Sequence, residues 1–138
     1  MLAQAFAPLA LIGTSPMIFS TRISAIGPEV ESLVENGVLI LFADGAPPEL
    51  AEVSVLHNAS ETASTAPTIG AALKIGDAST KITAVGPAAW KKVIDMGHVV
   101  INFNGLKEAE RPGEICAAPV DAAVLMKNLK PGQTISIG

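Results

Sequence analysis

The chain repeats itself, and no other feature restricts its fold as tightly. ISAIGP at residues 23–28 returns as ITAVGP at 82–87. About eight residues of helical character follow each copy. Gly37 or Gly97 comes next, then an apolar run, VLILF at 38–42 or HVVINF at 98–103. Each run ends near a glycine turn, Gly45 or Gly105. The offset between copies stays within 59 to 61 residues. A weaker match joins LKIGD at 73–77 to LKPGQ at 129–133. Several matches in one order argue for a duplication. No linker divides the halves, about 18–78 and 79–138, so they are expected to share one core.

Each half reads strand, short helix, strand, strand, hairpin. Pro28 and Pro87 sit where a helix favours proline, at its first turn. Gly37 and Gly97 sit where it favours glycine, just past its end. Strands are predicted at 38–42, 53–56, 81–85, 99–103 and 134–137, each an apolar or β-branched run bounded by turn residues. Tight turns fall at Gly76 and Asp77 and at Pro131 and Gly132. Residues 58–68, rich in Ser, Thr, Ala and Pro, read as a surface loop. A last helix over 121–129 has Asp121 at its N-cap. There is no rhythm of strands and long crossover helices. The predicted fold is mainly β: a small antiparallel barrel built from two duplicated halves, with short helices.

Residues 1–17 read as an N-terminal extension to a domain over 18–138. Their apolar stretch from Met1 to Gly13 is too short to cross a bilayer. No Lys or Arg precedes Arg22, whereas a signal peptide opens on positive charge. Met17 is an alternative start. If the extension is native, it is expected to pack on a second copy in a homodimer.

Charge and composition remove several function classes. The net charge is −4, without any run of Lys or Arg, so nucleic acid is not an expected partner. Four Phe, one Trp and no Tyr leave few rings on which bases could stack. Cys116 is alone, which excludes an internal disulfide and a Cys-rich zinc site. It also fits a reducing compartment. A cytoplasmic protein is expected. Phosphate-cradling, dinucleotide and serine-hydrolase glycine motifs are absent.

Two histidines remain, His57 and His98. His57 closes an apolar run and opens the polar stretch, so it is expected to be half supported and half exposed. A neutral imidazole held there suits a nucleophile; position alone favours a solvated strand-end histidine. His98 follows Gly97 at a predicted helix end, where the dipole favours a histidine. The two are not spaced as a metal-ligand pair, and no metal site is expected. Cys116 falls one residue before the repeat equivalent of His57 and reads as a small buried hydrophobe. Trp90 reads as the anchor of its helix on the barrel. The charged cluster at 108–113 reads as a docking surface or a solvated turn.

One resemblance reaches further. ITAVG at 82–86, GHV at 97–99 and FNGLKEAERPG at 103–113 resemble the glucitol/sorbitol-specific enzyme IIA of the bacterial sugar phosphotransferase system. TRI at 21–23, FADGAP at 42–47 and LAEVSVLH at 50–57 agree with it in the first half. The resemblance spans roughly residues 18–137. It implies a phosphohistidine carrier between HPr and the IIB part of a membrane-bound sugar-alcohol permease with its IIC channel. The family's phospho-accepting histidine falls on His57, and its glycine-histidine pair on Gly97 and His98. Histidine-to-histidine transfer needs positioning and charge stabilisation and no cofactor. Asn58 and Ser60, with the backbone N–H groups between them, are the expected phosphoryl donors. His98 is expected to lie close to His57 and to donate to the phosphoryl group. The family's second histidine and glycine after the active one are replaced by Asn58, Ala59 and Ser60. That departure keeps a second reading open: a regulatory or ligand-binding paralogue without transfer.

Overall fold

The computed structural model describes residues 17–138. The expectations for the N-terminal extension lie outside those residues, apart from Met17. Eight strands close a barrel. They are β1 (Phe19–Ile26), β2 (Val38–Ala43), β3 (Val55–Thr62), β4 (Ala72–Ile75), β5 (Ala78–Val85), β6 (Val99–Asn102), β7 (Glu114–Ala117) and β8 (Thr134–Ile137). Short helices interrupt them: α1 (Val30–Glu35), α2 (Pro48–Ala51), α3 (Ala89–Met96) and α4 (Ala122–Asn128). Around the barrel the order is β1-β3-β2-β6-β7-β5-β4-β8. β2 and β3 pair in parallel, as do β6 and β7; the other neighbours are antiparallel.

The pairing carries an internal two-fold pattern. β1 against β3 corresponds to β5 against β7, and each pairing shifts register after the matching isoleucine, at Ser24 and Thr83; β1 against β3 has a second shift between Ser20 and Thr21. β2 meets β6, and β4 meets β8, each across the pseudo-axis. Ile23 opposes His57 and Ile82 opposes Ala117. The repeat equivalent of His57 is therefore Ala117, with Cys116 just before it. The same close approach is built twice. A Cβ on Gly27 would stand 2.3 Å from the Ala51 carbonyl oxygen, and one on Gly86 would stand 2.4 Å from that of Pro112. Only glycine fits there.

The weaker repeat match does not survive in space. Leu73 lies in β4, whereas Leu129 caps the C-terminus of α4. By pairing, the counterpart of β4 is β8. A Lys-x-Gly turn is common chemistry and had matched without common position. The predicted strand at 53–56 and loop at 58–68 are also displaced. β3 runs from Val55 to Thr62, because β1 continues to Phe19 and supplies ladder partners for a polar stretch. Strand propensity is decided by such pairing more than by composition.

Alternating strand residues fill the interior, among them Ile23, Leu39, Leu41, Val55, Ile82, Ile101, Ile115 and Ile135, all fully buried. Val30 and Val34 of α1, Trp90 and Val93 of α3 and Leu125 of α4 join that core. Trp90 is the anchor its sequence position suggested: its indole donates to the Ala63 carbonyl at 2.7 Å and meets Phe19 edge-on. Asp121 caps α4 through the Ala123 N–H. Cys116 is fully buried, and burial pushes its thiol pKa up, with the Glu114 charge acting in the same direction.

Candidate active site

β3 delivers His57. Val55 and His57 alternate with half-buried Leu56, so both point inward. His57 lies opposite Ile23 of β1 and Ala43 of β2. The expectation of a half-exposed strand-end histidine is corrected here: the residue is 1% exposed. The strand does not end at His57, and the Phe19 ring packs edge-on against the imidazole with centroids 5.9 Å apart.

Both ring nitrogens are engaged. Nε2 lies 2.7 Å from the Gly97 carbonyl oxygen. A carbonyl only accepts, so Nε2 carries the proton. Nδ1 lies 2.6 Å from Thr21 Oγ. In the neutral ring Nδ1 holds the lone pair, and the Thr21 hydroxyl donates to it. Burial lowers the imidazole pKa below its ordinary 6.5, against the Gly97 hydrogen bond and the nearby Asp44 charge, which both raise it. The result is a neutral ring in one defined tautomer, with a lone pair on Nδ1.

Gly97 makes this contact through the absence of a side chain. It ends α3 in the left-handed region at φ 61°. A Cβ there would stand 3.1 Å from His57 Cε1 and 2.9 Å from Ala43 Cβ. Ala43, His57 and Gly97 therefore share the inner face. His98, one residue on, turns to the outer face. Its Nδ1 donates to the Leu41 carbonyl at 3.1 Å, and its ring lies against Phe42 at 5.0 Å. It lines an outer groove of about 440 Å³ with Lys92, Asn102, Glu110, Arg111 and Glu114. The cluster at 108–113 contributes to that groove.

The His98 ring shares the outward register of Val100 and Asn102 in β6 and is held by Leu41 and Phe42. What meets the His57 ring is the backbone of the residue before His98. Asn58 and Ser60 are engaged by other partners in this structure. Asn58 donates to the Asp44 carboxylate, and Ser60 donates to the Ser20 carbonyl at 3.2 Å. Both lie in β3 rather than in a loop; Asn58 pairs with Arg22 of β1, and Ser60 falls at a register shift between Ala59 and Glu61. Among the described residues, no three His, Cys, Asp or Glu side chains gather as a metal site.

Two contributors went unmarked in the sequence reading. Thr21 is a buried polar residue in a strand whose other inward residues, Phe19 and Ile23, are apolar. That alternation was the available signal. Asp44 gathers Ser24 and Asn58 on its carboxylate, and its own N–H donates to the His57 carbonyl at 3.1 Å. It sat in view within the turn before Gly45.

Known proteins match this chain over most of its length. Residues 18–138 match the family of PTS system glucitol/sorbitol-specific IIA components. A Shigella flexneri protein named as the PTS system glucitol/sorbitol-specific EIIA component is 35% identical over 105 residues, which are 75% of this chain and 85% of that protein. The Escherichia coli (strain K12) protein of the same name gives the same identity and coverage. The crystal structure of a PTS system IIA component from Enterococcus faecalis V583 shares the fold, with a TM-score of 0.64 and 21% identity over 84% of this chain and 96% of that one. The barrel, its two-fold pairing and the family match over 18–138 lead to one assignment: the chain belongs to the glucitol/sorbitol-specific IIA component family of the phosphotransferase system.

Proposed function

We propose that this chain is a phosphoryl carrier in sugar-alcohol transport, taking a phosphoryl group from HPr onto His57 and passing it to the IIB part of a glucitol/sorbitol permease. Family membership supports the carrier role. One observation carries the choice of residue: His57 is a buried imidazole fixed at both nitrogens, between Thr21 and Gly97. An imidazole nitrogen with a lone pair attacks phosphorus in line, and the donor imidazole leaves. Holding the ring supplies the positioning such a transfer needs. The transfer from HPr passes the group between nitrogens and requires no cofactor at this protein.

The ring's burial means that transfer follows a local opening that uncovers it. No helix of the described residues is long and apolar enough to cross a membrane, so the membrane part of transport falls to the permease in this reading. The same burial, with both nitrogens occupied, favours the second reading of a regulatory or ligand-binding paralogue. Incubation with enzyme I, HPr and phosphoenolpyruvate, followed by intact mass, separates the two. The carrier gains one phosphoryl group, and His57→Ala gains none. A folded wild type that gains nothing supports the paralogue.

A further inference from the structure

The two contacts on His57 differ chemically. The Gly97 carbonyl only accepts, so it tolerates a proton on Nε2 and nothing else. The Thr21 hydroxyl both donates and accepts, so it serves Nδ1 in either protonation state. They differ also in reach. The Thr21 contact is fully buried; the Gly97 contact is only partly so, at the turn that ends α3. A donor arriving from outside meets Nε2 first. In the closed structure Nε2 has a proton and no lone pair.

We propose that Thr21 is a positioning residue for the transfer: its buried hydroxyl accepts a hydrogen bond from the Nδ1–H and so presents Nε2 as the atom that takes the phosphoryl group. This rests on His57 being the carrier residue. When the turn at Gly97 opens, Nε2 leaves the carbonyl and the ring exchanges its proton with water. It settles with the proton on Nδ1, and the Thr21 hydroxyl rotates from donor to acceptor. The Nε2 lone pair then attacks phosphorus. The P–N bond of the donor breaks, and its electron pair leaves on the donor nitrogen. That donor ring already carries a proton on its other nitrogen, so it departs neutral. His57 keeps its Nδ1 proton throughout, and no proton moves in the step. The closed state, with Gly97 on Nε2, is the unreactive tautomer, which protects the ring between transfers.

The test uses the full chain. Long-range proton–nitrogen NMR of His57 in the unphosphorylated wild type is expected to show the proton on Nε2. After phosphorylation by HPr, phosphorus is expected on Nε2 and the proton on Nδ1. Thr21→Val leaves a buried N–H without an acceptor, and phosphoryl acceptance slows by about tenfold to a hundredfold. Thr21→Ser restores the rate to within about threefold of wild type, because the oxygen returns. Phosphorus on Nδ1 overturns the proposal, as does wild-type speed in Thr21→Val. Absence of any phosphoryl group on His57 overturns the carrier reading itself, together with this one.

Discussion

The two glycines that end α1 and α3 allow the His57 contact to be weighed against an internal control. Gly37 and Gly97 are repeat counterparts, both in the left-handed region, at φ 80° and 61°. Each donates its N–H back into its helix, to Val34 at 2.9 Å and to Val93 at 2.8 Å. Alanine at either position costs about 1–2 kcal/mol for a left-handed backbone. At Gly37 the added Cβ meets nothing closer than the Phe103 carbonyl oxygen at 4.0 Å. At Gly97 it stands 2.9 Å from Ala43 Cβ, 3.1 Å from Ala43 N and 3.1 Å from His57 Cε1. The ring or the turn must shift, which weakens the 2.7 Å hydrogen bond from Nε2. Loss of a typical hydrogen bond is about 0.5–1.5 kcal/mol, and overpacking is about 1–3 kcal/mol. Gly97→Ala is therefore expected to lose about 2 kcal/mol more than Gly37→Ala. Urea unfolding of the two variants beside wild type reads the difference, with unchanged m values as the check on a common denatured state. Equal losses would show that Gly97 serves only as a helix end, and the account of the His57 cradle would fall.

Two further expectations follow from the site. The folded His57 binds its proton less readily than the unfolded residue, because burial lowers its pKa below 6.5. Below about 6.5 the unfolded chain takes up the proton first, so stability is full above that pH and is lost as pH falls toward the folded pKa. His57→Gln is expected to show a shallower loss in urea unfolding between about pH 8 and about pH 5.5; an identical slope would refute a neutral buried ring. His98→Ala removes the bond to Leu41 and the stack on Phe42, worth about 1 kcal/mol of stability. Because His98 faces outward, the rate of transfer from HPr is expected to stay within about threefold of wild type; a loss of a hundredfold would return it to the reaction.

Much of the architecture was legible without coordinates, for a definite reason. Duplication left the same punctuation at the same spacing: Pro28 and Pro87 entering a helix, Gly37 and Gly97 leaving it, Gly45 and Gly105 turning the chain. Such residues report local backbone geometry, which is a property of a few neighbours. Apolar runs bounded by turn residues marked β2 and β6 for the same reason. His57 was singled out by family resemblance; its position alone pointed to a solvated histidine.

What the sequence left undetermined was which surfaces meet. Thr21 lies 36 residues from His57 and Gly97 lies 40 away. Their contact with one imidazole depends on β3 lying between β1 and β2, and on β6 then pairing with β2. No local pattern encodes that order, because it is set by closing the whole barrel around one core. The same closure drew residues 58–62 into a ladder where their composition suggested a loop. It also set the Gly97 carbonyl on the His57 ring, while the His98 ring met Leu41 and Phe42. The residue types that do chemistry could be read along the chain; their partners came only from the long-range pairing that buries them.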